Sequence, residues 1–166
     1  MIEAIRGFLF APTLSLWKYV LLAFPLALVV SVALFVSVLT ALLAAGVNVQ
    51  LLMPPTKGAS MIDIIGTVVI APTVETLLLI GGVRLLSSFL TQPGIIAASS
   101  AVTWGLFHGL FGLLWFFGTA WSFFVFTCGY LAWRRVSFGH AFAAAALPHV
   151  LINALVMAFV VAGDRA

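Results

Sequence analysis

From Tyr19 to Ala45 the chain carries no charged residue. At about 1.5 Å per helical residue that run is longer than the roughly 30 Å hydrocarbon core of a bilayer. Inside lipid every backbone N–H and C=O needs an internal partner, so an unbroken Leu-, Val- and Ala-rich run of this length is dictated to be a helix. The whole chain follows suit: 64% of its 166 residues are hydrophobic and 7% are charged, where a soluble domain carries about 25% charged residues. With so few charges the apolar surplus must face lipid. The expectation is an all-α polytopic membrane bundle of about five transmembrane helices, a single membrane domain over residues 1–166 in contact with membrane lipid. The net charge of +3 is small and scattered, which excludes nucleic acid as a partner. Cys128 is the only cysteine, so there is no internal disulfide, and it reads as a buried thiol.

The first seventeen residues place Ile2, Ile5, Phe8 and Leu9 at helical spacing, as in a short interfacial helix. A signal peptide is the rival, with Ala44-Ala45-Gly46 resembling a cleavage site, but the apolar run far exceeds a signal core of roughly 7–15 residues. Residues 17–46 therefore read as an accessory span, kinked at Pro25, whose Ser31, Ser37 and Thr40 hydroxyls bond back to their own helix. Pro54-Pro55 rules out helix in the stretch from Gly46 to Gly58, leaving an extracytoplasmic loop or a shallow re-entrant segment. Ser60 with Asp63 predicts a capping box. Residues 61–163 then supply a four-helix core: about Met61–Leu90, Ile95–Leu114, Thr119–Trp133 with a turn at Gly118, and Phe138–Ala162. Gly105 and Gly109 form a small face for close helix approach. A cytoplasmic N-terminus puts Arg6, Lys18, Arg84, Arg134 and Arg135 inside and only Lys57 and Arg165 outside, as the positive-inside bias requires.

Between Asp63 and Asp164 the only acid is Glu75. A carboxylate at membrane depth costs roughly 3 kcal/mol or more, so it marks a functional site when a partner can be named. Two partners can: His108 and His149, each about mid-span on another helix. Pro72, three residues before Glu75, removes a backbone donor and predicts a freed carbonyl at Val68. Asn153 shares a helical face with His149, and Trp104 shares one with His108. A carboxylate beside a histidine can deprotonate a water, while a second histidine and an amide can stabilise an oxyanion. The inventory supports attack of water on a carbonyl. Each group also has a bland reading: Glu75 as a protonated acid bonded to the freed carbonyl, the histidines and Asn153 as packed hydrogen-bonders, Trp104 as core.

Here the chain resembles a known family. Ala71-Pro72-Thr73-Val74-Glu75, then Trp104 with His108, then His149 with Asn153 are similar, in order, to the three motifs of the CPBP (CaaX protease and bacteriocin-processing, or ABI) intramembrane glutamate proteases. The resemblance covers about Ile70 to Leu155. It implies an intramembrane endopeptidase acting without metal or other cofactor on a peptide or membrane-protein substrate. Glu75 would be the water-activating base, His108 would orient the water with Trp104 nearby, and His149 and Asn153 would hold the oxyanion.

The chain departs from the pattern at two positions. Thr76 replaces a second glutamate and Ile80 an arginine, four residues apart and hence facing partners. Exchanging both members of a buried pair for neutral groups can be close to neutral in stability. The alternative is a non-catalytic relative that binds and regulates a membrane partner. Arg84 lies about half a turn out of phase with Glu75 and does not restore the motif. Glu75, His108 and His149 also make a set of the kind zinc uses, though without an H-E-x-x-H helix.

Overall fold

The computed structural model describes residues 7–164, and the rest of the expected interfacial helix lies outside the described residues. Residues 7–10 are helical. They pack on the bundle, with Leu9 buried and the Phe8 and Tyr19 rings 5.1 Å apart. Five long helices follow. They are α1 (Leu16–Ala44), α2 (Met61–Phe89), α3 (Pro93–Gly109), α4 (Leu113–Trp133) and α5 (Phe138–Asp164). No strand occurs among the described residues. The protein is an all-helical bundle in which α1, α2, α4 and α5 are long and apolar enough to cross a membrane. The expected third span is shorter, because α3 has 17 residues.

Helix α4 is the centre. From Ser122 to Trp133 every residue except Phe124 is buried, and α1, α3 and α5 all pack on it. Small residues set the distances. A Cβ on Gly105 would lie 2.9 Å from Ala120 and Phe116, as its place on a small-residue face predicts. At Gly129 a Cβ would meet the Ala144 carbonyl oxygen at 2.7 Å. Pro148 in α5 offers no N–H to that carbonyl four residues back, so the oxygen is turned toward α4 where only a glycine leaves room.

Three features differ from the sequence-based expectation. Gly118 lies inside α4, 3.5 Å from Phe35 at its Cβ position, and the turn falls earlier, at residues 110–112. A close contact explains the shift. The Met53 carbonyl presses against Gly112, where no side chain fits. His108 consequently sits in the last turn of α3 rather than mid-span. Ser31 does not bond back to its own helix; its hydroxyl pairs with Ser122 across the α1–α4 interface at 2.8 Å. Thr40 does bond back, to the carbonyls of Val36 and Ser37.

The start of α2 forms as its sequence predicts. Ser60 Oγ accepts from the Asp63 N–H, and the Asp63 carboxylate accepts from the Ser60 N–H, both at 3.2 Å. The regular helix then widens into a π-turn over Gly66–Ile70. Its cause is legible in the bonding. The Ala71 N–H donates to the Gly66 carbonyl, five residues back, and the next residue, Pro72, has no N–H to give. Thr67 therefore receives a bond from neither, and its carbonyl is freed. Asn153 Nδ2 donates to it from α5 at 2.8 Å.

At the other end of the bundle the basic residues gather. Arg84 Nε donates to the Tyr130 hydroxyl at 3.3 Å, and Arg134 Nη1 to Ser87 Oγ at 3.2 Å. His140 stacks on Trp133 there, with centroids 5.9 Å apart. Cys128 is buried and free.

Candidate hydrolytic site

Helices α2, α3 and α5 each bring one ionisable side chain to a common point. Glu75 Oε2 lies 3.8 Å from His108 Nε2 and 3.7 Å from His149 Nε2. Heights along the helices explain the meeting. Glu75 is about 21 Å above the lower end of α2, and His108 about 22 Å above the start of α3. Because α3 stops one residue later, no helix continues over the cluster on that side. The loop at Pro54, Pro55, Thr56 and Lys57 covers it instead. These residues line the same cavity of about 540 Å³ as Glu75, His108, His149 and Asn153.

Distance and burial define what the cluster can do. The imidazoles are 9% and 8% exposed and the Glu75 side chain 24%; Glu75 lines the cavity, while its Oε2, between the two rings, is buried. A gap of 3.7–3.8 Å is too long for a direct hydrogen bond and short enough for one water to touch both atoms. Glu75 Oε2 accepts no hydrogen bond from the described residues.

His108 has its tautomer set by the backbone. Its Nδ1 lies 2.9 Å from the Trp104 carbonyl oxygen. A carbonyl only accepts, so Nδ1 carries the proton, and in the neutral ring Nε2 presents a lone pair toward Glu75. Rings fix both imidazoles. Trp115 stands edge-on to His108 at 4.9 Å, Phe126 stacks on His149 at 4.8 Å, and Phe123 touches both. Trp104 lies flat on Phe123 at 4.7 Å. It does not line the cavity, and reaches any water there only through His108. Asn153 lines the cavity while one amide hydrogen is committed to Thr67, which leaves one for a ligand. Thr76 and Ile80 are buried in the core at 1% and 4% exposure.

No group of three His, Cys, Asp or Glu side chains among the described residues meets metal-ligand geometry. The donor set that would come closest is Glu75 with the two imidazoles. Among the cavity residues that reading by helical periodicity did not assign to the site are Lys57 and Trp115. The ammonium of Lys57 lies 5.7 Å above the Trp115 ring.

The fold and the cavity together define a class: a polytopic helical membrane protein with a carboxylate and two histidines gathered at a cavity between its helices. No family model matches the chain, and comparison with curated proteins and with solved structures found no match.

Proposed function

We propose that the protein is an intramembrane endopeptidase of the CPBP type, in which Glu75 and two histidines activate a water. The observation that carries this reading is Glu75 Oε2, poised 3.7–3.8 Å from two imidazole nitrogens at the wall of the cavity. A water between them gives one hydrogen to His108 Nε2 and the other to Glu75. Glu75 removes its proton as the oxygen bonds to the scissile carbonyl carbon. The carbonyl oxygen gains the electron pair and is held by donors on the α5 side, His149 with a protonated Nε2 and the second amide hydrogen of Asn153. The tetrahedral intermediate collapses, the C–N bond breaks, and Glu75 returns its proton to the leaving nitrogen. One carboxylic acid and one amine result, and the acid's proton then passes to the amine, giving a carboxylate and an ammonium.

Thr76 and Ile80 fit an apolar core where the family carries an ion pair, so their loss does not by itself remove the machinery. The loop end of the bundle faces outward in this reading, with Arg84, Arg134 and Arg135 on the cytoplasmic side.

The test is hydrolysis of an internally quenched peptide library by the purified full chain. Glu75→Gln should lower the rate by at least about 10²–10⁴-fold while the melting temperature stays within a few degrees. Cleavage that survives the change removes the peptidase reading. A phenotype in cells that survives it, with no cleavage by either protein, favours the partner-binding alternative.

A further inference from the structure

The water-activating machinery leaves Lys57 without a task. It is the only lysine or arginine among the residues lining the cavity. Two acid–base contacts within 4 Å occur among the described residues, both between Glu75 and a histidine, and neither involves Lys57. Asp63, six residues on, is held by Ser60, whose hydroxyl donates to it at 2.6 Å. Lys57 instead rests over Trp115, the ring that also braces His108. Lys57 is exposed and Trp115 half-buried, and a cation–π contact made by an exposed ammonium is a weak one that a carboxylate readily replaces.

We propose that Lys57 is a specificity residue, which binds a carboxylate of the substrate at the loop side of the cavity. This inference rests on the peptidase reading above. Two constraints set the anion's position. Glu75 repels a second carboxylate near the reacting carbonyl, so the acid cannot straddle the scissile bond. The walls on the α4 and α5 side are mostly apolar, and their polar groups, Thr119, Ser122, His149 and Asn153, bring no Lys or Arg cation, so they compensate a buried carboxylate poorly. Only the rim at Pro54–Lys57 combines water with a positive charge. The selected substrate is thus a peptide with apolar residues in the cavity and a carboxylate flanking them on the loop side. An Asp or Glu side chain and a chain-end carboxylate offer the same chemistry.

The experiment uses the full chain and peptides found cleaved in the quenched library. Each is remade in matched pairs, with a side-chain acid against its amide and a free C-terminus against its amide. In the wild type kcat/KM should favour one kind of acid by about three- to tenfold, shrinking as salt rises. Whichever pair shows the preference identifies the source of the carboxylate. In Lys57→Gln the ratio should fall to about one, and in Lys57→Glu it should reverse. A wild-type ratio of one in both pairs overturns the assignment, as does a ratio that persists in Lys57→Gln. A Lys57→Gln enzyme slowed equally on acid and amide, with the ratio kept, also overturns it. Glu75-dependent cleavage without acid preference leaves the peptidase reading standing and removes only Lys57. Failure to cleave any peptide removes both.

Discussion

A neutral imidazole carries one proton, and at His108 the backbone decides where it sits. The Trp104 carbonyl, 2.9 Å from Nδ1, can only accept, so the lone pair at Nε2 is turned to Glu75. In the proposed mechanism that pair would accept one hydrogen of a bridging water and leave an oxygen lone pair free for attack. His108→Ala should therefore lower kcat/KM by about 10²–10⁴-fold, measured on the same peptides as the wild type, with the helical circular dichroism unchanged. Retention of more than a tenth of the wild-type rate would reduce His108 to packing. Glu75, His108, His149 and Asn153 were all legible in the sequence, because isolated polar groups in apolar helices have few other reasons to be there. Lys57 was visible too, but only as a cation on the disfavoured side of the membrane. Its place at the cavity depends on a non-helical loop, where no periodicity reports direction. Trp104 was legible as a neighbour of His108; that its carbonyl rather than its ring would matter was not, since every residue has a carbonyl.

At the scale of elements, the widened turn in α2 and its link to α5 hold the site's geometry. Asn153 lies one turn beyond His149, so its bond to the Thr67 carbonyl also fixes His149 beside α2. Removing the amide leaves a buried acceptor unpaired, which costs roughly 1–3 kcal/mol in general, and nearer 0.6 where membrane helices find substitutes. Asn153→Ala should destabilise the protein by about 1 kcal/mol. Pro72→Ala restores an N–H five residues after Thr67, in the register the π-turn already uses, so in that background the loss should be smaller by at least about half. Unfolding of the four variants of this double-mutant cycle in detergent checks it. Equal losses in both backgrounds would mean that Pro72 does not orphan the Thr67 carbonyl. Pro72 announced a freed carbonyl in the sequence. Which carbonyl depends on the register shift, and that shift is stabilised by a partner 86 residues away, beyond what a local pattern records. The same holds for the turn at residues 110–112, which is set by Met53 rather than by the glycine at 118.

For the molecule as a whole, the short α3–α4 hairpin determines how water reaches an acid deep in an apolar bundle. Helix α3 is about 25 Å long and α4 about 31 Å, against about 43 Å for α1. In the orientation proposed above the hairpin tip should reach only the edge of the hydrocarbon, where the Pro54–Lys57 loop lines the cavity with backbone and polar side chains instead of a helix. The buried native thiol of Cys128 gives a silent background for testing this with single added cysteines and a membrane-impermeant maleimide. Thr56→Cys should label in intact cells, and Arg135→Cys only after permeabilisation. The reverse pattern inverts the orientation assigned from the basic residues. Leu110→Cys distinguishes such a tip from an ordinary span. Leu110 is 80% exposed in the protein alone, yet with lipid around the tip its thiol should stay protonated and out of reach, reacting at least about tenfold more slowly than Thr56→Cys. Equal rates at the two positions would place the hairpin tip in water and make α3 a complete crossing. The loop would then lie beside the entrance to the site rather than over it, and Lys57 would meet the substrate before the cavity does.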